Sequence, residues 1–405
     1  MSKKRSKILL LGSELGKGGA ERSISLLSYY LEQLGYNVTL CLLSGTDRTR
    51  YYKTCSEVIF VDPPAHQHII GKVKSWIYRF QFIKKLKRER NIDISVSFLE
   101  GPDYINLLTR TQEKVFISIR GSKMFDGEIA GIMGTIRKKI LIPTLYQRAD
   151  KIICVTHALA YEMKKFFRIP PDKLTTIYNF YEVDIIRQKS LEPLTSQEAA
   201  IFTVPVIIAS GRLHMQKEFD KLLHVLAALK KRTEVRLIIL GDGDKKQELL
   251  DLSKKLSLTP FVWNNGNAFE PADVYFMGYQ SNAFKFYKHS KVFALSSSWE
   301  GFPNVLAEAL ICGLPVVATD CYTGPREILN IAELPEDSIK NPIKTPVGTL
   351  LPLLNPLTED TIQYWTDALM HWLSSPIPSY EQFQQIINRF TLDQMLKQWE
   401  ELLDS

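Results

Sequence analysis

Two carboxylates, Glu300 and Glu308, stand eight residues apart in Glu300-Gly301-Phe302-Pro303-Asn304-Val305-Leu306-Ala307-Glu308, just after the apolar run Val292–Leu295 and the turn Ser296-Ser297-Ser298. Pro303 and Asn304 read as a helix start and Gly313 as its stop. A helix that opens directly past a strand end is a place for phosphate. The amides near Asn304–Leu306 are expected to point outward unpaired, and the helix dipole favours an anion. Glu300 lies before the helix and Glu308 more than one turn inside it. One can face a sugar and the other a ribose, because both ligands offer hydroxyls that donate to carboxylates. Taken alone, two Glu at this spacing are more often a plain surface pair. The surrounding Gly301-Phe302-Pro303-Asn304 and the later Gly313-Leu-Pro-Val-Val-Ala-Thr-Asp320 turn the reading toward a site.

A second group is Ser210-Gly211-Arg212-Leu213, again after an apolar run, with Lys217 five residues past Arg212. Two cations at a strand end can clamp a diphosphate and offset the charge that grows on it as a group leaves. By themselves they read equally well as an Arg and a Lys on a solvated helix start. A third group is Gly16-Lys17-Gly18-Gly19-Ala20-Glu21, whose paired glycines let a backbone approach a ligand closely. It does not have the G-x-G-x-x-G spacing, and Leu43-Ser44-Gly45 after the second strand offers no acid to a ribose, which argues against NAD. Asp242-Gly243-Asp244 spells a metal-binding D-x-D, but its Gly and its place after a strand suit a turn and a helix N-cap. No metal is expected.

These residues need a frame. Apolar runs at Lys7–Leu11, Val38–Leu43, Val58–Val61, Ile94–Phe98, Val115–Ile119, Lys151–Val155 and Leu174–Tyr178 read as strands with helices between them. The rhythm restarts at Val204–Ala209 and continues through Val235–Leu240, Val274–Phe276, Val292–Leu295 and Val316–Thr319. Residues 183–200 are polar and lack periodicity, so they read as a linker. The expected fold is α/β: two Rossmann-like domains facing each other across a cleft, each a parallel sheet covered on both faces. Ligands of such sheets bind at the carboxyl ends of the strands. The expected boundaries are 1–185, 200–385 and a final amphipathic helix within 386–405, with Leu392, Met395, Leu396, Trp399 and Leu402 as its stripe.

In order along the chain, the motifs resemble glycosyltransferase family 4, retaining enzymes of the GT-B fold. Gly18-Gly19-Ala20-Glu21 is similar to that family's glycine loop, and Gly211, Arg212 and Lys217 to its diphosphate clamp. Glu300 and Glu308 resemble its E-x(7)-E pair, with Thr319-Asp320 and Gly324-Pro325-Arg326-Glu327 as the tail. Val347-Gly348-Thr349-Leu350 is its next landmark. The resemblance implies a nucleotide-sugar co-substrate, with UDP the expected nucleotide, and no cofactor or metal. Glu300 would touch the donor sugar, Glu308 the ribose, and Gln280-Ser281-Asn282 would lie near the base. It implies that the acceptor hydroxyl attacks the face the diphosphate leaves, and that the last helix crosses back to the first domain. Many members carry a His at the end of the mid-domain strand. Here Ser118-Ile119-Arg120 stands there instead, similar to a Ser-Glu-Arg subgroup, and Arg120 is expected on the acceptor side with its role open. Thr259–Asp273 and Asn330–Pro346 are longer than the family pattern and read as surface loops.

Ile69–Arg90 is the most unusual stretch. Ile69, Val73, Trp76, Ile77, Phe80 and Ile83 fall at helical spacing among Lys72, Lys74, Arg79, Lys84, Lys85, Lys87, Arg88 and Arg90. A helix of this kind can lie on an anionic membrane, and a domain helix with a core stripe and a solvated face explains the pattern as well. Both hold if only the cations meet lipid, and Arg137-Lys138-Lys139 would extend the patch. The expected partners are a nucleotide sugar, a lipid-linked sugar acceptor and, through Lys72–Arg90, an anionic membrane. The net charge of +7 is shared by nucleic-acid binders, but no aromatic platform or recognisable module supports that class. No apolar run spans a bilayer and the basic start is followed by too short an apolar run for export, so a cytoplasmic location, at the inner face of the membrane, is expected. Five scattered cysteines form no framework. The competing readings are a non-catalytic nucleotide-sugar binder and, further off, a nicotinamide oxidoreductase.

Overall fold

A computed structural model describes residues 5–45, 48–63, 69–127, 129, 131–264, 270–331 and 338–405, the side chains of 69 and 70 excepted. The chain divides into two compact units, Met1–Phe180 with Asp393–Ser405, and Tyr181–Leu392.

Unit 1 is built on β1 (Lys7–Gly12), β2 (Asn37–Leu42), β3 (Glu57–Phe60), β4 (Ile94–Phe98), β5 (Lys114–Ile119), β6 (Lys151–Cys154) and β7 (Leu174–Thr176). Their order is β3-β2-β1-β4-β5-β6-β7, every neighbouring pair parallel. The inner strands β1, β2, β4, β5 and β6 are buried almost throughout, which is why they read as runs rich in Leu, Ile and Val. Leu9, Leu11, Cys41, Ile83, Leu86 and Ile105 share one core cluster. Burial pushes the Cys41 thiol up to about 12, so it is inert. The last helix, Leu392–Asp404, buries Met395, Leu396, Trp399, Leu402 and Leu403, and from Asp393 it belongs to unit 1. Its end is tied there: Tyr36 donates to Asp404 at 2.9 Å and Arg5 to Glu400 at 2.9 Å.

The helix Ile69–Arg90 departs from its expected pattern. Ile83 and Leu86 are buried, but Val73, Trp76 and Ile77 are exposed, so only the carboxyl half of the stripe enters the core. The Ile69 side chain lies outside the described residues. Lys87, read as one of the surface cations, is instead fully buried. It sits 2.7 Å from Glu113 and donates to Asn106 at 2.7 Å. Burial lowers the Lys87 ammonium to about 8 against the pull of Glu113.

Unit 2 carries β8 (Val206–Ser210), β9 (Arg236–Leu240), β10 (Pro260–Val262), β11 (Val274–Gly278), β12 (Val292–Leu295), β13 (Val316–Thr319), β14 (Ile343–Thr345) and β15 (Gly348–Leu351). The order is β10-β11-β9-β8-β12-β13-β15-β14, parallel except for the final hairpin of β14 and β15. Part of each long loop is thus strand: β10 lies within Thr259–Asp273 and β14 within Asn330–Pro346, while 265–269 and 332–337 fall outside the described residues. At three residues each, these strands are too short to leave a periodic signal.

Residues 183–200 are not a linker. They form the helices Val183–Ser190 and Ser196–Ile201 within unit 2. Few apolar residues mark them because polar contacts fix the second helix. Thr195 and Glu198 close a capping box, and Lys285 reaches Glu198 at 2.8 Å. Among the described residues no helix is long and apolar enough to cross a membrane.

Candidate active site

The carboxyl ends of β8, β12 and β13 in unit 2 gather most of the expected site residues. Past β8 the chain runs through Gly211 and exposed Arg212 into a 3-10 turn, Met215–Lys217. That turn is stitched to the loop after β12. Ser296 donates to the Lys217 carbonyl at 2.6 Å, Gln216 to the Trp299 carbonyl at 2.6 Å, and the Ser298 amide to the Gln216 carbonyl at 2.9 Å. The stitching brings the Lys217 Nζ to 2.5 Å from Glu300 Oε1, which also accepts from Ser297 at 2.7 Å. Both side chains are largely buried, where charge contacts act through a lower dielectric than water's.

The segment after β13 closes over the same glutamate. Thr319 donates to the Ser297 carbonyl at 2.6 Å and Thr323 donates to the Glu300 carbonyl. Arg326 grips buried Asp320 through Nε and Nη2, one donor to each carboxylate oxygen. Gly324 has φ +97, and a Cβ there would stand 2.3 Å from Pro303 Cδ, so only glycine fits against the helix start. Sequence reasoning assigned no roles to Ser297, Thr323 or the Asp320–Arg326 pair. Each acts through tertiary closure, which sequence spacing does not display.

The helix Asn304–Ile311 opens at Pro303 as expected and ends before Gly313. Its amides are not all unpaired: the Leu306 amide donates to the Pro303 carbonyl at 3.0 Å. The Asn304 side chain accepts from Tyr181 at 2.6 Å, and the Phe302 ring packs at 5.4 Å from Phe390. Phe302 and Leu306 are buried, and Val305 half-buried. Glu308 is buried one turn further in and, after burial itself, helps to push the Tyr287 hydroxyl well up. Asn282 spends its side chain within the protein, donating to the Lys189 carbonyl at 2.9 Å and accepting from the Phe284 amide at 3.1 Å.

The Asp242-Gly243-Asp244 turn has a packing reason. A Cβ on Gly243 would stand 2.4 Å from the Leu213 carbonyl, and Leu213 exchanges backbone bonds with Asp242 and Lys245. The N-cap is Lys245 rather than Asp244. Among the described residues no group of three or more His, Cys, Asp or Glu could hold a metal ion.

Gly18, Gly19 and Arg120 belong to unit 1. Gly18 caps the helix Gly19–Gln33 after β1. Arg120, after β5, donates to Asn179 at 2.8 Å and lies over the Phe98 ring at 5.1 Å. Asn179 also accepts from Ser23 on the glycine-loop helix at 3.3 Å, so the ends of β5 and β7 are joined to that helix. The end of β4 holds a cluster that sequence reasoning missed. Leu99 has φ +73, a conformation costly for a branched side chain. It turns Glu100 to receive Arg137 at 2.6 and 2.7 Å and Tyr104 at 2.5 Å, with Lys123 at 3.7 Å. Burial would raise the Glu100 carboxyl, but these contacts outweigh it and leave it low. Beside it Asp103 is wholly buried, and burial lifts it to about 7 against bonds from Ser97 and Tyr146.

Two Rossmann-like units built on largely parallel sheets are the architecture of the GT-B fold. Family models agree in both units: "Glycosyltransferase Family 4" matches residues 17–185 and "Glycosyl transferases group 1" residues 204–338. A Campylobacter jejuni N-acetylgalactosamine-N,N'-diacetylbacillosaminyl-diphospho-undecaprenol 4-alpha-N-acetylgalactosaminyltransferase is 32% identical over 78% of this chain and 80% of its own. The amylovoran biosynthesis glycosyltransferase AmsD of Erwinia amylovora is 27% identical over 80% of this chain and 83% of its own. The crystal structure of Anabaena Alr3699/HepE in complex with UDP shares the fold, with a TM-score of 0.70 at 16% identity over 98% of this chain and 99% of that one. The chain belongs to glycosyltransferase family 4, and it is a glycosyltransferase of glycan biosynthesis.

Proposed function

We propose that the protein transfers a sugar from a UDP-sugar to a lipid-linked glycan acceptor with retention of anomeric configuration, at the inner face of the cell membrane. The observation that carries this reading is the Lys217–Glu300 contact at the strand ends of unit 2, 2.5 Å long. It pairs a cation suited to a diphosphate with a carboxylate suited to a sugar hydroxyl. In this reading Arg212 and Lys217 neutralise charge as the diphosphate leaves. Glu300 orients the sugar, Glu308 holds the ribose, and Gly211 and residues 301–306 offer backbone. A phosphate oxygen takes the acceptor proton, so no protein nucleophile, cofactor or metal is needed. The UDP assignment draws support from the relative solved with UDP, and the lipid-linked acceptor from the relative named for a diphospho-undecaprenol substrate.

Thermal-shift screening against UDP-, GDP- and NAD-type ligands tests the donor, since a ligand that binds only the folded state raises its stability. Stabilisation by a UDP-sugar is expected, and stabilisation by NAD alone would sink the reading. Binding without transfer to any lipid-linked acceptor would favour the non-catalytic alternative. Membrane contact by the basic helix rests on exposed Lys72, Lys74, Lys85 and Arg88 beside exposed Val73, Trp76 and Ile77. Neutralising those four cations should lower sedimentation with anionic vesicles.

A further inference from the structure

Among the described residues of unit 1, the two most exposed large apolar side chains, Ile132 and Met133, lie in the connection between β5 and β6. Ile132 is 82% exposed, Met133 65% and Ile140 54%. In the same connection Phe125 meets Phe166 edge to face at 5.9 Å, both rings partly in water. Isolated exposed apolar residues are ordinary, but a group of this size marks a contact surface.

The segment is held in place. Arg137 is clamped by Glu100 through two bonds, Lys138 donates to the Met124 carbonyl at 2.8 Å, and a Cβ on Gly134 would stand 2.8 Å from the Ile129 backbone. Within the segment the charges have one sign. Gly131–Arg148 contains Arg137, Lys138, Lys139 and Arg148 and no acid. The helix His157–Phe167 adds exposed Lys164 and Lys165. Its single acid, Glu162, is wholly buried and accepts from Ser122 and from the Lys123 amide, each at 2.7 Å. Asp126 is half-buried, and Glu128 follows it in the sequence.

We propose that Gly131–Leu141 is a wedge that seats in the surface of an anionic bilayer, with Ile132 and Met133 entering the acyl boundary and Lys138 and Lys139 meeting the headgroups. Apolar tips on a segment whose charges are all cationic match the two layers of such an interface. A symmetric second copy fits less well, because a two-fold contact would bring the cationic surface of Lys138, Lys139, Lys164 and Lys165 against the same cationic surface of the copy. The proposal rests on the lipid-linked acceptor reading and adds to the basic helix a second lipid-facing element. It also gives the strained turn at Leu99 a purpose. Glu100 fixes the wedge through Arg137 to the end of β4, and so sets a bilayer surface at a fixed offset from the strand ends of unit 1.

The test is sedimentation of the full chain with vesicles of phosphatidylcholine plus phosphatidylglycerol, and with phosphatidylcholine alone. The double variant Ile132→Ser, Met133→Ser is expected to bind the mixed vesicles about tenfold more weakly, with the salt dependence kept. Lys138→Gln with Lys139→Gln should instead flatten the salt dependence. Wild-type affinity in the Ile132→Ser, Met133→Ser variant overturns the proposal. So does a solution dimer that this variant dissociates, since the face would then belong to a second copy. UDP-induced thermal stabilisation, measured in parallel, reports on unit 2 alone. Its absence in every form would remove the donor reading while leaving the vesicle result to stand or fall by itself.

Discussion

At the scale of single residues, Lys217 and Glu300 have unequal duties. Glu300 is anchored from several sides, by Ser297 on its carboxylate and Thr323 on its carbonyl, whereas Lys217 contributes its charge from a short turn. Lys217→Ala should therefore lower kcat by about a hundredfold or more, since it removes a cation acting on leaving-group charge, and should also lower the melting temperature, since it leaves buried Glu300 without its cation. Glu308→Ala should act mainly on UDP affinity, read by titration calorimetry. A second prediction concerns Asp103, lifted by burial to about 7 from an ordinary 3.8. A raised carboxyl favours folding while it is protonated, so its contribution is complete below the ordinary value and fades as pH climbs through about 7. Asp103→Asn should flatten that decline, and urea midpoints of both forms across this range would reveal it. These residues were unevenly legible. Glu300, Glu308, Arg212 and Lys217 sit in short motifs whose types betray their chemistry. Lys87 looked like one surface cation among eight, because its buried partner Glu113 is 26 residues away (113 minus 87) and nothing local signals the pairing.

At the scale of elements, strand ends do the positioning. The runs Ile94–Phe98, Val292–Leu295 and Val316–Thr319 were readable to the residue, because strands buried on both faces favour apolar and small side chains. The helices of 183–201 were not, since capping and an ion pair replace the apolar stripe in the second of them. The loop after β13 depends on one backbone feature, Gly324 packed on Pro303. Gly324→Ala would place a methyl group where Pro303 stands, at a φ that alanine resists. A loss of about 1–3 kcal/mol is expected, read by urea denaturation, together with a raised KM for donor because the Glu300 loop shifts with it.

At the scale of the whole molecule, the expected boundary at 185–200 gives way to one at Phe180–Tyr181, because helices rather than a linker begin unit 2. The return of the last helix to unit 1, implied by family resemblance, is present from Asp393 onward. Ending the chain at Leu392 would uncover the surface buried by Met395, Trp399 and Leu403 and strip Tyr36 and Arg5 of their partners. That truncation should lower the unfolding temperature of unit 1 while leaving UDP-induced stabilisation in unit 2, a contrast visible by differential scanning calorimetry.

The same helix orders events on the ribosome. Unit 1 is discontinuous in sequence, its two pieces separated by the whole of Tyr181–Leu392. Chains ordinarily fold amino-terminal domain first as they emerge. Here the seven strands, all within residues 7–176, can pair early, but Tyr36 and its neighbours stay uncovered until unit 2 has been synthesised. Unit 2 is thus the first to be complete, and nascent-chain folding of unit 1 should finish only after translation passes Trp399.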